Sequence, residues 1–100
     1  MVIEWLKFKI NQEREKFIEK DAEIWTASLS KYPGFLGKEI WINPNNESEI
    51  IFIIRWKTRE EWKAIPQSIL DETEKKFAQA LENRSYEMLE SKEYQVRKFP

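Results

Sequence analysis

Two charges stand in apolar surroundings, and both are of types that do chemistry. Arg55 is the only charged residue in the stretch Ile50-Ile51-Phe52-Ile53-Ile54-Arg55-Trp56. A guanidinium in a strand buried on both faces needs a carboxylate partner or an anionic ligand. Closing a hairpin about Asn43–Ser48 puts Arg55 opposite Gly37 and diagonal to Glu39 in one register. It then either holds a substrate oxyanion in the room that Gly37 leaves, or pairs structurally with Glu39 near the strand end. Glu4 shares a strand face with Leu6 and Phe8. Burial there raises a carboxyl pKa and makes it a candidate general base; at a fraying strand end it instead bonds Lys or Arg. Five tryptophans (Trp5, Trp25, Trp41, Trp56, Trp62) offer wide apolar faces with one donor each, which suits a planar ligand. Trp56 and Trp62 lie near Pro66, where a broken helix packs imperfectly and leaves a cavity. Trp25 falls on a helical core stripe, and Trp5 and Trp41 serve equally as interface anchors. For every indole, core or interface is the competing reading.

The missing residue types exclude more than the present ones establish. Without His or Cys the chain has no Ser-His-Asp triad, thiol nucleophile or common zinc site. Two glycines, Gly34 and Gly37, are too few for a P-loop or a GxGxxG dinucleotide fingerprint. No spaced acidic loop points to Ca²⁺ or Mg²⁺, so neither metal nor cofactor is expected. Lys plus Arg total 17 against 18 Asp plus Glu, which gives no field for nucleic acid or acidic membranes. The mixed-sign runs Glu13–Lys16 and Glu72–Lys76 are solvated helix faces. The longest apolar run is too short to span a bilayer, and Met1-Val2-Ile3 opens a strand-like pattern instead of a signal peptide. A cytoplasmic protein is the expectation.

The elements that must position these groups follow from periodicity. Val2–Ile10 alternates as a strand, with Val2, Glu4, Leu6, Phe8 and Ile10 on one face and Ile3, Trp5, Lys7 and Lys9 on the other. Asn11 is placed to cap a helix whose stripe is Ile18, Ala22, Trp25, Leu29 and Tyr32, widened by Phe17 and Ile24; Asp21 reads as surface. Pro33-Gly34 stops it. The hairpin follows. Its second strand is apolar without alternation, as expected of burial on both sides. Thr58 with Glu61 forms a capping box, Pro66 breaks the helix it opens, and the helix resumes near Ser68 and runs to about Asn83. Tyr86–Phe99 is a polar edge strand. The order βαββαβ predicts an α+β fold, a ferredoxin-like sandwich with a four-stranded antiparallel sheet, as one domain over 1–100.

Two helices cover one side of such a sheet. The other side exposes apolar residues, among them Trp5, Trp41, Ile51 and Ile53, and a patch of several hundred Å² marks an interface. Burying ~700 Å² at about 25 cal/mol per Å² gives on the order of 17 kcal/mol. Association costs roughly 4–15 kcal/mol, which predicts a face-to-face homodimer.

The Pro33-Gly34-Phe35 turn, the polar hairpin, and Ile53-Ile54-Arg55-Trp56 followed by Lys57-Thr58-Arg59-Glu60-Glu61-Trp62 resemble the antibiotic biosynthesis monooxygenase-like family over essentially the whole chain. The ending Lys92–Pro100 is similar to that of cyanobacterial members without an assigned activity. The resemblance implies a dimeric α+β barrel of two protomers packed sheet to sheet. It also implies a pocket between sheet and helices, and cofactor-independent oxygenation of a small aromatic, quinol-type substrate. In such a site Arg55 and Glu4 would be catalytic, and Trp56, Trp62 and Ile65 would line the pocket. Ile65 occupies the position, nine residues after the strand-ending Trp, where the family often carries His. The haem-degrading branch has Trp there and a ligating His further on; this chain has neither. That departure leaves a second reading open: a non-catalytic small-molecule-binding or assembly protein on the same barrel.

Overall fold

Alternation decides the first element in the computed structural model, which describes residues 1–100. In β1 (Val2–Ile10) the residues Val2, Leu6, Phe8 and Ile10 are all buried in the core. They meet Ile50, Phe52, Ile54 and Trp56 of β3 (Glu49–Trp56) on the same face. The sheet order is β2-β3-β1-β4, with β2 spanning Phe35–Ile42 and β4 Tyr86–Gln95. All neighbours run antiparallel. β3 is an inner strand whose apolar run divides between the two faces, Ile50, Phe52 and Ile54 toward the core and Ile51 and Ile53 toward the helix-free side. This is the expected ferredoxin-like α+β architecture. No helix is long and apolar enough to cross a membrane.

The helices pack on one face through Phe17, Leu29, Ile65, Phe77 and Leu81. Aromatic rings knit the layers: Phe8 lies 5.0 Å from Phe52, and Phe17 meets Phe77 edge-on at 5.2 Å, contacts worth ≈ 0.5–1.5 kcal/mol each beyond area burial. The first helix departs from expectation. α1 (Arg14–Asp21) runs straight into a π turn (Ala22–Thr26) and then α2 (Ala27–Leu29). Its inward residues are Phe17, Asp21, Trp25 and Leu29, at strict four-residue intervals, while Ala22 is exposed. In an α-helix that interval drifts by about 40° per step; the wider π turn takes up the drift and keeps all four facing the sheet. Asn11 does not cap the helix. Its amide donates to Ser85 Oγ at 3.1 Å, and Glu13 stands at the N-cap position without a side-chain bond.

Thr58 does cap α3 (Arg59–Lys63), its Oγ1 accepting the Glu61 N–H at 3.1 Å. Pro66 breaks the helix as expected, and α4 (Gln67–Ala80) starts at once behind it. It ends before Asn83, because Glu82 and Asn83 take left-handed φ values of 57° and 59°. Thr73 Oγ1 donates to Ile69 O at 2.7 Å and meets Ser28 Oγ at 3.1 Å, tying α4 to α2. β4 stops at Gln95 and not Phe99, because its ladder partner β1 runs out at Val2. Gly34, at φ 94°, closes the helix-to-strand turn with no room for a side chain: a Cβ there would come within 2.7 Å of Glu61 Cβ.

The helix-free face carries Ile3, Trp5, Ile51, Ile53 and Arg55, with Trp41 and Tyr94 on the flanking strands. Ile53 is only 2 % exposed within the single chain. It pairs with Trp5 and Glu39 across the ladders. Trp41 and Tyr94, by contrast, are about half exposed. The open face therefore presents aromatic rings more than isoleucines.

Candidate active site

Between the inner sheet face and the helices lies a cavity of about 540 Å³. Its walls are mostly apolar, and Trp56, Trp62 and Ile65 all line it, as does Trp25 from the π turn. Ile65 and Gln67, on either side of the Pro66 break between α3 and α4, border it.

Glu4 enters this cavity from β1. The Trp56 indole donates to its Oε1 at 3.2 Å. Burial lifts the Glu4 pKa above the ordinary carboxylate value; the Trp56 hydrogen bond, Lys63 and Lys38 pull only part of the way back. Glu4 thus holds its proton more readily than a surface glutamate, which is what a general base working near neutral pH requires.

A second set of charges was not foreseen. Asp21 is fully buried at the end of α1, and Lys38, from β2, is ion-paired to its Oδ2 with its own side chain 4 % exposed. Lys38 Nζ also lies 4.2 Å from the centre of the Phe52 ring. Both residues line the cavity. Burial pushes Asp21 up and Lys38 down, each toward its neutral form; their mutual attraction opposes this, and Glu4 adds to it on the lysine. Asp21 Oδ1 makes no hydrogen bond. Hydrogen bonding from the Thr26 side chain also lowers the Asp21 pKa, as the least of these influences. The sequence held a signal for Lys38: the register that sets Gly37 opposite Arg55 sets Lys38 opposite Ile54, hence inward. Asp21 was legible only through its spacing of four from Phe17 and from Trp25.

Arg55 stands elsewhere. Ile3 pairs with Arg55 and Glu4 with Ile54, so Arg55 and Glu4 project from opposite faces of the sheet, and Arg55 does not line the cavity. Its Nη1 lies 3.4 Å from Glu39 Oε2, within ion-pair distance but outside hydrogen-bond geometry. Glu39 also accepts the Trp41 indole at 3.1 Å. At the cavity rim Lys63 Nζ sits 4.0 Å over the Trp62 ring, and Glu74 has its pKa raised by partial burial. No group of three or more Asp and Glu side chains is placed to hold a metal ion.

A model of the family described as antibiotic biosynthesis monooxygenase matches residues 1–69. The chain belongs to that family. The matched stretch contains Glu4, Asp21, Lys38, Trp56, Trp62 and Ile65. Solved structures agree on the monooxygenase fold. SnoaB, a cofactor-independent oxygenase from Streptomyces nogalater, is 16% identical with a TM-score of 0.74, over 98% of this chain and 94% of its own. A monooxygenase from the gene ActVA-Orf6 of Streptomyces coelicolor, in complex with the ligand nanaomycin D, is 11% identical with a TM-score of 0.70, over 99% and 89%. A conserved protein from Methanosarcina mazei is 17% identical with a TM-score of 0.67, over 96% and 92%. At these identities the likeness to each structure is one of fold. A search of curated proteins gives no sequence match.

Proposed function

We propose that this family member is a cofactor-independent oxygenase of a small aromatic, quinol-type substrate. The observation that carries the reading is Glu4, a carboxyl with a raised pKa in an apolar cavity of about 540 Å³. Glu4 takes a proton from the bound phenol, and the ring becomes electron-rich enough to reduce O₂. A C–O bond forms at a ring carbon to give a peroxide anion, which takes the proton back from Glu4. Glu4 then removes the hydrogen on that carbon as a proton, and the O–O bond breaks to release hydroxide, which takes that proton and leaves as water. Phenol plus O₂ thus yields quinone plus water, with the substrate supplying all the electrons. Lys38, the cation on the same face as Glu4, takes the oxyanion role expected of Arg55. Trp56, Trp62 and Ile65 exclude water and stack the ring.

Oxygen uptake with quinols and anthrone, wild type against Glu4→Gln, tests this. The expected loss is about 10²–10⁴-fold, the range for a removed general base. No uptake with any aromatic while calorimetry still detects binding would leave the second reading, a non-catalytic binding or assembly protein. That reading draws on the neutralisation of Lys38 by Asp21. Either function is set in a single domain over 1–100, acting in the cytoplasm as a homodimer through Trp5, Trp41 and Ile51, without nucleic acid or membrane; Ile53, expected there too, is already covered within the single chain. The cyanobacterial likeness of the Lys92–Pro100 ending belongs to the same reading.

A further inference from the structure

Lys63, Gln67, Glu74 and Met88 line the cavity and are exposed to solvent, so they mark its mouth. The buried rings of Phe8, Phe52, Trp56 and Phe77 mark its depth. Two of the polar groups at the mouth are engaged: Gln67 donates to Asp71 Oδ1 at 2.9 Å, and Glu74 is hydrogen-bonded by Trp25. Lys63 has no carboxylate within ion-pair distance. Its Nζ lies 4.0 Å from the centre of the Trp62 ring instead. Lys38, the other lysine of the cavity, is already held by Asp21. Lys63 is therefore the one cation here whose charge is unclaimed.

Its position is at the Glu4 end of the mouth, since its charge is felt on the Glu4 carboxyl. Glu74 stands apart, two helical turns beyond Gln67, or about 10 Å along α4, and Lys63 is not among the groups that act on it. In Glu4, Oε1 accepts the Trp56 indole, while Oε2 has no partner in the protein and is not sealed off. The cavity thus presents a carboxyl oxygen at depth and a bare ammonium at its opening.

We propose that the ligand is an aromatic hydroxy acid, its hydroxyl meeting Glu4 Oε2 inside and a carboxylate at the far end of the ring system pairing with Lys63 Nζ at the mouth. The carboxylate stays partly hydrated there, which spares it the desolvation penalty of a buried ion pair. The rings take the apolar space below. Lys63 is then a specificity-determining residue that selects by charge. The inference rests on the cavity being the ligand site proposed above, and it names the substrate class for that site.

Calorimetry at pH 7 in oxygen-free, low-salt buffer separates binding from turnover. The probes are 6-hydroxy-2-naphthoate and 6-hydroxy-2-naphthamide, which share rings, hydroxyl and shape and differ in one charge. Wild type is expected to bind the acid about fivefold more tightly, equivalent to about 1 kcal/mol, the upper end for an exposed pair. Lys63→Met keeps the stem and is expected to lose the preference. Lys63→Glu is expected to invert it, with the amide bound more tightly; both changes fall at an exposed position. Equal wild-type affinity for the two probes, or a tighter hold on the amide, overturns the inference and leaves the cavity reading standing. A preference for the acid that survives in Lys63→Met also overturns it. Binding of neither probe overturns the inference and the cavity reading together.

Discussion

Replacing Lys38 by Met strips the cation from Asp21 and leaves a carboxyl in a fully buried position. Breaking a buried pair from one side costs about 3–5 kcal/mol, because the remaining charge keeps its desolvation penalty without compensation. Removing both partners is far milder and is often neutral or stabilising. In the variant, Asp21 has lost the interaction that held its pKa down, so burial raises it further above the ordinary value of 3.8. The folded state then binds a proton that the unfolded state lacks between 3.8 and the new pKa. Stability falls as pH rises through that window and recovers as pH drops back. Urea unfolding of Lys38→Met at pH 7 and pH 5 is therefore expected to show a large loss at pH 7 that narrows at pH 5. Asp21→Asn with Lys38→Met is expected to show no such recovery. A loss under about 1 kcal/mol at pH 7, with no pH dependence, would refute the reasoning by showing that water reaches Asp21.

Trp56→Phe removes the indole donor that lowers the Glu4 pKa. The rising limb of oxygen uptake against pH, set by ionised Glu4, is expected to shift to higher pH, and an unmoved limb would detach Trp56 from the base. Trp41→Glu places a charge at the most exposed indole of the open sheet face. Sedimentation at micromolar concentration is expected to show a dimer for wild type and a monomer for the variant; two dimers, or two monomers, would remove Trp41 from any interface.

Part of the hairpin register was legible, because the side-chain period in a strand is two and the turn sets the pairs from Ile42 as far as Gly37; the faces taken by the tryptophans were not. Arg55 opposite Gly37 and close to Glu39 came out as the pattern required. Thr58 and Pro66 were legible for a similar reason, since capping and the missing proline donor act over three or four residues. The Asp21–Lys38 pair was not. A helical stripe read at 3.6 residues per turn leads from Ile18 to Ala22 and passes over Asp21, because nothing local in Ala22–Thr26 announces a π turn. Tertiary packing selects that turn. Lys38 is set inward by the regular pairing that puts it opposite Ile54, but with Asp21 read as surface it had no partner, and Arg55 stood out as the only charge in the apolar run. The oxyanion-binding role was consequently expected of the more conspicuous cation, on the wrong side of the sheet.

Lys38 and Glu39 are consecutive residues on an edge strand, and they look in opposite directions. Lys38 reaches Asp21 in the chamber, while Glu39 holds Arg55 and Trp41 outside. A single peptide bond thus separates the side chain that closes the cavity wall from the one that braces the open face of the sheet.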